Sequence, residues 1–305
     1  MFINIKQSLA RLSEIVLKLT VKAYNIFSLF SHVNTHVIKW QVLTKFYYLQ
    51  LLVYYAACMK INYPSHHKWN KPLADDPFYS FGKSNTARLK STLNKIDNLD
   101  IKHEIAPLTE ETLSWFTPLY NKTISNKNNP KVFDIYATTL GKNSKFPYFS
   151  LSLYENGSPI GATIFSERKN ILSIAYRIYP NKWNDHKLQA SPSIYTEYLL
   201  TKYGIEKGFT KLSHGRDRNP YGPNAHIGLA IYKLSVGCSV FTPSVSYEIN
   251  TMELDDITTD TLVFEQPKEG ERITKGYLCV SKDTKDKYEQ VTKYPEQIEI
   301  ETIVR

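Results

Sequence analysis

Cysteine is scarce. The 305-residue chain holds three, Cys58, Cys238 and Cys279, far apart and odd in number, which excludes a disulfide-framed secreted domain. No Cys/His cluster has zinc spacing, so no metal site is expected. Glycine (12) and proline (15) are few, which excludes a collagen-like or low-complexity chain. Acid is short over most of the length. Residues 1–104 carry 14 basic and 6 acidic side chains, and residues 105–245 carry 16 and 9, whereas residues 246–305 reverse the balance with 8 and 14. The overall formal charge of +9 points to an anionic partner and says nothing of fold. With 42% hydrophobic residues the middle of the chain can bury a core.

The first sixty residues lack glycine and proline and have one acid, Glu14, against seven bases. Ile5, Leu9, Leu12, Val16, Leu19, Ile26 and Phe30 form the stripe of an amphipathic helix. The apolar run Trp40–Met59 approaches the ~20 residues a bilayer requires, but Lys45 interrupts it. The segment reads as a helical extension, packed on the main domain, lying on an anionic membrane surface or spanning the membrane. Residues 61–99 read as a linker, rich in Pro, His, Asn and Asp from Asn62 to Lys83, followed by a basic helix. Residues 100–245 form the main domain, and residues 246–305 an acidic, strand-rich appendage.

Within the main domain the patterns are regular. Ile101–Ile105 alternates like a strand, Thr109 with Glu110 and Glu111 opens a helix, and Val132–Leu140 is helical. Asn156-Gly157 is a hairpin signal between Phe146–Tyr154 and Pro159–Glu167. Arg168-Lys169-Asn170 turns the chain into Ile171–Tyr179. Ser191-Pro192 is a helix start for Ile194–Lys207, and Gly208 ends it. Phe209–His214 is a strand, Ala225–Val236 a helix, and Ser239–Thr242 begins a further strand. The predicted class is α+β, a mixed and mostly antiparallel sheet flanked by helices.

This order, with Gly215-Arg216 after the strand, Lys233 and Gly237 in the next helix, and the helix Tyr195–Gly208 before it, resembles the GCN5-related N-acetyltransferase (GNAT) superfamily. It is most similar to the branch holding the Fem-type peptidyltransferases. The resemblance covers residues 84–243. It implies an N-acyltransferase that moves an acetyl, longer acyl or aminoacyl group from a thioester or ester to an amine. Acyl-CoA or an acyl carrier protein is the expected cosubstrate, in preference to aminoacyl-tRNA, and no cofactor is expected to be tightly bound. The alternative is an RNA- or tRNA-binding or membrane-peripheral protein on an inactive fold of this type. Nucleic acid is otherwise expected only as a tRNA donor. The expected location is the cytoplasm, with a membrane surface reached through residues 1–60. One departure is visible: the Gly-rich phosphate turn of ordinary acetyl-CoA enzymes is replaced by Lys187-Leu-Gln-Ala-Ser-Pro-Ser-Ile194.

The site residues follow from that placement. His214, at a strand end, is an expected base. Lys233 would stabilise an oxyanion or a donor phosphate, and otherwise is a solvated lysine. Arg216 would clamp a phosphate or carboxylate, or pair structurally with Asp217 or Glu197. Tyr195 and Glu197 are expected to face the cleft, although Glu197 near a helix start also suits the dipole. Lys187, Gln189, Ser191 and Ser193 are the expected donor-binding residues. Arg177, Asp217, Asn219 and Tyr221 are expected on the acceptor side, with Arg177 alternatively exposed on the polar face of its strand.

Overall fold

The computed structural model describes residues 60–126, 132–142, 144–244 and 246–305. The expectations for the amphipathic segment and the Trp40–Met59 run lie outside the described residues. Among the described residues no helix is long and apolar enough to cross a membrane.

Two strands open the described chain, β1 (Lys60–Pro64) and β2 (His66–Pro72). They correct the linker reading over residues 62–72, while residues 73–82 are a connecting loop. Pro64 and Pro72 sit at strand ends, where a missing N–H costs little. Between them His67, Trp69, Asn70 and Lys71 are buried. Helix α1 (Lys83–Ile96) turns Leu89, Thr92 and Ile96 inward and leaves Arg88, Lys90 and Lys95 in solvent. Strand β3 (Ile101–Pro107) leads into α2 (Glu110–Ser125), capped by the Thr109 hydroxyl on the Thr112 N–H. The short α3 (Ile135–Thr139) is capped by Asp134.

The meander is as expected: β4 (Tyr148–Glu155), β5 (Ser158–Arg168) and β6 (Ile171–Ile178). Its first turn places both Asn156 and Gly157 at positive φ, as a tight hairpin requires. Helix α4 (Pro192–Glu206) starts at the Ser191 cap with Pro192 in its first turn. It returns the chain to β7 (Lys211–Arg218), which runs four residues past the expected end at His214. Then come α5 (Ile227–Ser235), β8 (Ser239–Phe241), β9 (Ile249–Glu253), β10 (Thr261–Phe264), β11 (Arg272–Ile273), β12 (Lys275–Val280), α6 (Lys285–Tyr288) and β13 (Glu299–Val304).

Eight strands form the main sheet in the order β11-β8-β2-β7-β6-β5-β4-β3. Every neighbouring pair is antiparallel except β6–β7. Helices α1 and α4 cover one face through Ile96, Leu199 and Leu200 against Leu151, Phe165, Leu172 and Leu212. Helix α2 covers part of the other through Leu113, Phe116 and Tyr120 against Ala162 and Ile164. Fully burying one such side chain is worth about 1.5–3 kcal/mol.

Acidity marks residues 246–305, but packing does not set them apart as an appendage. Strand β11 hydrogen-bonds to β8 in the main sheet. Leu262, Phe264, Leu278 and Val280 share one core with Trp69, Tyr221 and Leu234. The acids lie outside that core, which is why the charge break at 245 is not a packing break.

Candidate active site

The cleft originates in one irregularity. Strands β6 and β7 pair in parallel only over Ile171–Ser173 and Lys211–Ser213. Beyond that they part: β6 follows β5, and β7 follows β2. In the β2–β7 ladder Lys68 opposes Arg216 and Asn70 opposes Ser213, so His214 and Gly215 together face Trp69. That is a bulge, and it bends β7 away. Gly215 has φ 77°, which a residue with a Cβ adopts only at a cost. The facing edges of Ile174–Ile178 and His214–Arg218 therefore have no ladder partner in each other.

A cavity of about 520 Å³ fills the gap. Arg177, His214, Gly215, Arg216 and Asp217 line it from the strands, Leu229, Tyr232 and Lys233 from α5, and Phe133, Tyr148 and Tyr176 complete an aromatic wall. Phe133 and Leu229 are 43% and 39% exposed, so the apolar part of the wall reaches solvent at the mouth.

Beneath the cavity lies Glu197 of α4, fully buried. Its Oε2 accepts from Arg177 Nη1 at 2.6 Å, and its Oε1 accepts from His214 Nε2 at 3.0 Å and from Lys71 Nζ at 3.5 Å. Burial alone would raise the Glu197 carboxyl, but His214, Arg177 and Lys71 outweigh it and hold it well below the usual range. Burial lowers His214, and Glu197 only partly offsets this, so the imidazole is neutral at pH 7. A carboxylate only accepts, so Nε2 carries the proton and Nδ1 keeps a free lone pair; this tautomer is assigned from the hydrogen bond. Arg177 also donates from Nε to Thr163 Oγ1 at 3.0 Å and from Nη1 to the Tyr232 hydroxyl at 2.6 Å. Its Nη2 is buried with no hydrogen-bond partner among the described residues. Burial pushes the Tyr232 phenol far up, so it stays protonated.

A second ion pair fixes the β7 side. Lys233 Nζ donates to Asp217 Oδ2 at 2.7 Å and to the His214 carbonyl at 3.2 Å. The same Oδ2 accepts from Trp69 Nε1 at 2.9 Å and from the Tyr221 hydroxyl at 2.5 Å. Burial would raise Asp217, but the Lys233 charge, with the hydrogen bonds from Lys233 and Tyr221, holds it below the usual range.

A splayed parallel pair, joined by a capped helix inside an otherwise antiparallel sheet, is the GNAT-like architecture expected from the order of elements. Similar solved structures include L-PGS from Bacillus licheniformis, 17% identical with a TM-score of 0.38, covering 61% of this chain and 57% of that one. FemX is 14% identical with a TM-score of 0.43, covering 58% and 60%. A GCN5-related N-acetyltransferase from Anabaena variabilis is 12% identical with a TM-score of 0.27, covering 73% and 56%. This chain thus spans less than two thirds of each. No protein-family model and no curated protein matches the sequence.

Of the residues singled out in the sequence, His214, Glu197, Arg177, Arg216, Asp217 and Lys233 converge here. Of these, only Arg216 is both exposed and without an ion pair among the described residues. Lys233 and Asp217 line the cavity and are paired with each other. Tyr195 does not face the cleft. It is buried on the far side of α4 against His103 and Trp183, where burial first, then Asp97, pushes its phenol up to about 12. Asn219 and Tyr221 are likewise corrected from acceptor ligands to anchors. Asn219 exchanges two hydrogen bonds with the Phe264 backbone, and Tyr221 is fully buried.

The expected donor-binding residues lie off the cavity wall. Lys187 and Gln189 are exposed in a loop. The Ser191 hydroxyl and carbonyl take the Ile194 and Tyr195 N–H groups, and the Ser193 carbonyl accepts from Tyr232 at 3.4 Å. Because Pro192 has no N–H, the start of α4 presents almost no free donor for a pyrophosphate. Sequence reasoning missed Tyr232 and Lys71. Tyr232 had a signal, as the neighbour of Lys233 on the same short helix; Lys71 had none, lying in what read as a linker.

Proposed function

We propose that the cleft transfers an acyl group from a thioester or ester donor to an amine. The observation that carries this reading is the splay: an open strand edge with unpaired backbone groups borders a cavity beside a neutral, oriented histidine. The donor's carbonyl would lie along β6, where a strand N–H donates to the developing oxyanion. His214 Nδ1, directly or through a water, takes the proton as the amine nitrogen attacks. The tetrahedral adduct then breaks its bond to the thiolate or alkoxide, which receives that proton back. Glu197 stabilises the transient imidazolium and holds its tautomer. The orphan Nη2 of Arg177 offers a donor for a substrate oxygen, since an unpaired buried N–H costs about 1–3 kcal/mol. The poor phosphate cradle at α4 supports a donor held elsewhere than in ordinary acetyl-CoA enzymes.

The test is thiol or tRNA release with acetyl-CoA, acyl carrier protein and aminoacyl-tRNA, each with a panel of amines. His214→Ala is expected to lower kcat about 10²–10⁴-fold with little change in KM. No turnover with any of the three donors sinks the proposal.

A further inference from the structure

Arg216 lines the cleft, but it also belongs to a row that the cleft does not explain. Arg272 of β11 lies opposite Phe241 of β8, Phe241 opposite Lys68 of β2, and Lys68 opposite Arg216 of β7. Directly opposed residues project from the same face, and strands are ~4.8 Å apart. The four therefore form a row about 14 Å long, from the edge strand of the sheet to the cavity. One rung along the same ladder, about 6.7 Å away, His66 opposes Arg218 on that face. Arg216, Arg218 and Arg272 are exposed, while His66, Lys68 and Phe241 are half-buried.

Like charges directly opposed on a ladder destabilise it. Among the described residues none of Lys68, Arg216, Arg218 and Arg272 forms an ion pair with a carboxylate. Arg272 donates to the Glu296 carbonyl at 2.6 Å, which orients the guanidinium without neutralising it.

We infer that this row is a track for the backbone of a single-stranded nucleic acid and leads it into the cleft. Spacing favours this occupant over a small phosphate ligand. The two phosphates of a pyrophosphate share one bridging oxygen, whereas these cations stand on separate strands and rungs, as phosphates separated by sugars do. Phe241 adds the second element. Its ring lies in the row between Lys68 and Arg272, where a base can stack while the neighbouring cations hold its phosphates. The geometry departs from the sequence expectation of nucleic acid only as a tRNA donor, and binding here does not require the transfer chemistry to be correct.

Fluorescence anisotropy of the full chain with a labelled mixed-sequence RNA of about 12 nucleotides tests it. Four cations, each neutralising one phosphate of a single strand, give log Kobs against log salt a slope of about −2.8. The double variant Lys68→Ala/Arg216→Ala should bind more weakly and flatten that slope to about −1.4. Phe241→Ala should weaken binding about fivefold or more, and Lys95→Ala, on α1, should change nothing. Far-UV circular dichroism confirms that each variant folds. No binding at low salt, or an unchanged slope in the double variant, overturns the inference. So does displacement of the RNA by micromolar inorganic pyrophosphate or coenzyme A, or by vesicles of anionic lipid. Absence of turnover with every donor would end the transfer reading and leave this measurement standing.

Discussion

A carboxylate with no exposure must be neutralised by what surrounds it, and Glu197 meets two cations and an imidazole donor at once. It cannot reach a substrate, so its contribution passes through His214 and Arg177. That makes Glu197→Gln informative. The amide keeps the shape but removes the charge that raises the His214 pKa. The acid limb of kcat/KM should therefore move to lower pH, while kcat falls about 10²-fold. A purely structural role would leave the limb in place. Leaving Arg177 and Lys71 without their counter-ion should also cost about 3–5 kcal/mol, measurable by denaturant titration. The residue types of this cluster were legible from sequence: a histidine at a strand end, a glutamate in the first turns of a helix. Their roles were not, because Lys71 comes from a strand 126 residues before Glu197, and Arg177, on the strand just before α4, gives no sign of which face it takes. Only the sheet order brings them together.

At the scale of elements, strong local signals held wherever the chain's own chemistry decides the outcome. Ser191 caps α4, Gly208 ends it at φ 75°, and Asn156-Gly157 turns the hairpin. What local chemistry could not announce was β2, because its polar residues are satisfied only by distant partners. His67 bonds Tyr221 at 2.9 Å, and Lys71 bonds Thr201 at 2.9 Å. The length of β7 was hidden for the same reason: past His214 its pairing is to β2 alone. The bulge at Gly215 joins both facts to the cleft. A Cβ at this position meets nothing within 4 Å, so Gly215→Ala tests the backbone without a clash. With φ at 77° the substitution should cost about 1–3 kcal/mol. Any relief of that strain straightens β7 toward β6 and narrows the cavity, so kcat/KM should fall in excess of the stability loss. A stable variant with normal kinetics would show that the splay does not depend on this bulge.

At the scale of the whole molecule, the final sixty residues close the fold around a histidine rather than trailing from it. The His67 ring stands 4.9 Å from Phe264 and 5.3 Å from Tyr221, centre to centre, and its Nδ1 is buried without a hydrogen-bond partner among the described residues. Burial, only partly offset by Asp217, lowers its pKa from 6.5 to about 3. The unfolded chain therefore binds a proton near pH 6.5 that the folded chain refuses until about pH 3. Between those values stability must fall as pH falls, by about 1.4 kcal/mol per pH unit for this one proton. His214, also lowered, acts in the same direction. Glu197 and Asp217 are depressed carboxylates, so their stabilisation is complete above their ordinary range and is lost as pH drops through their folded values. The expected curve is flat above neutrality, declines from pH 6.5, and steepens in the carboxylate range. Equilibrium urea unfolding at stepped pH measures it. In His67→Asn the decline between pH 6.5 and about 4.5 should lose one proton's worth of slope, while the steeper carboxylate limb remains. An unaltered slope in that window would mean that the buried histidine is already charged, and that the joint between the C-terminal strands and the main sheet holds an ion pair with Asp217 in place of a neutral ring.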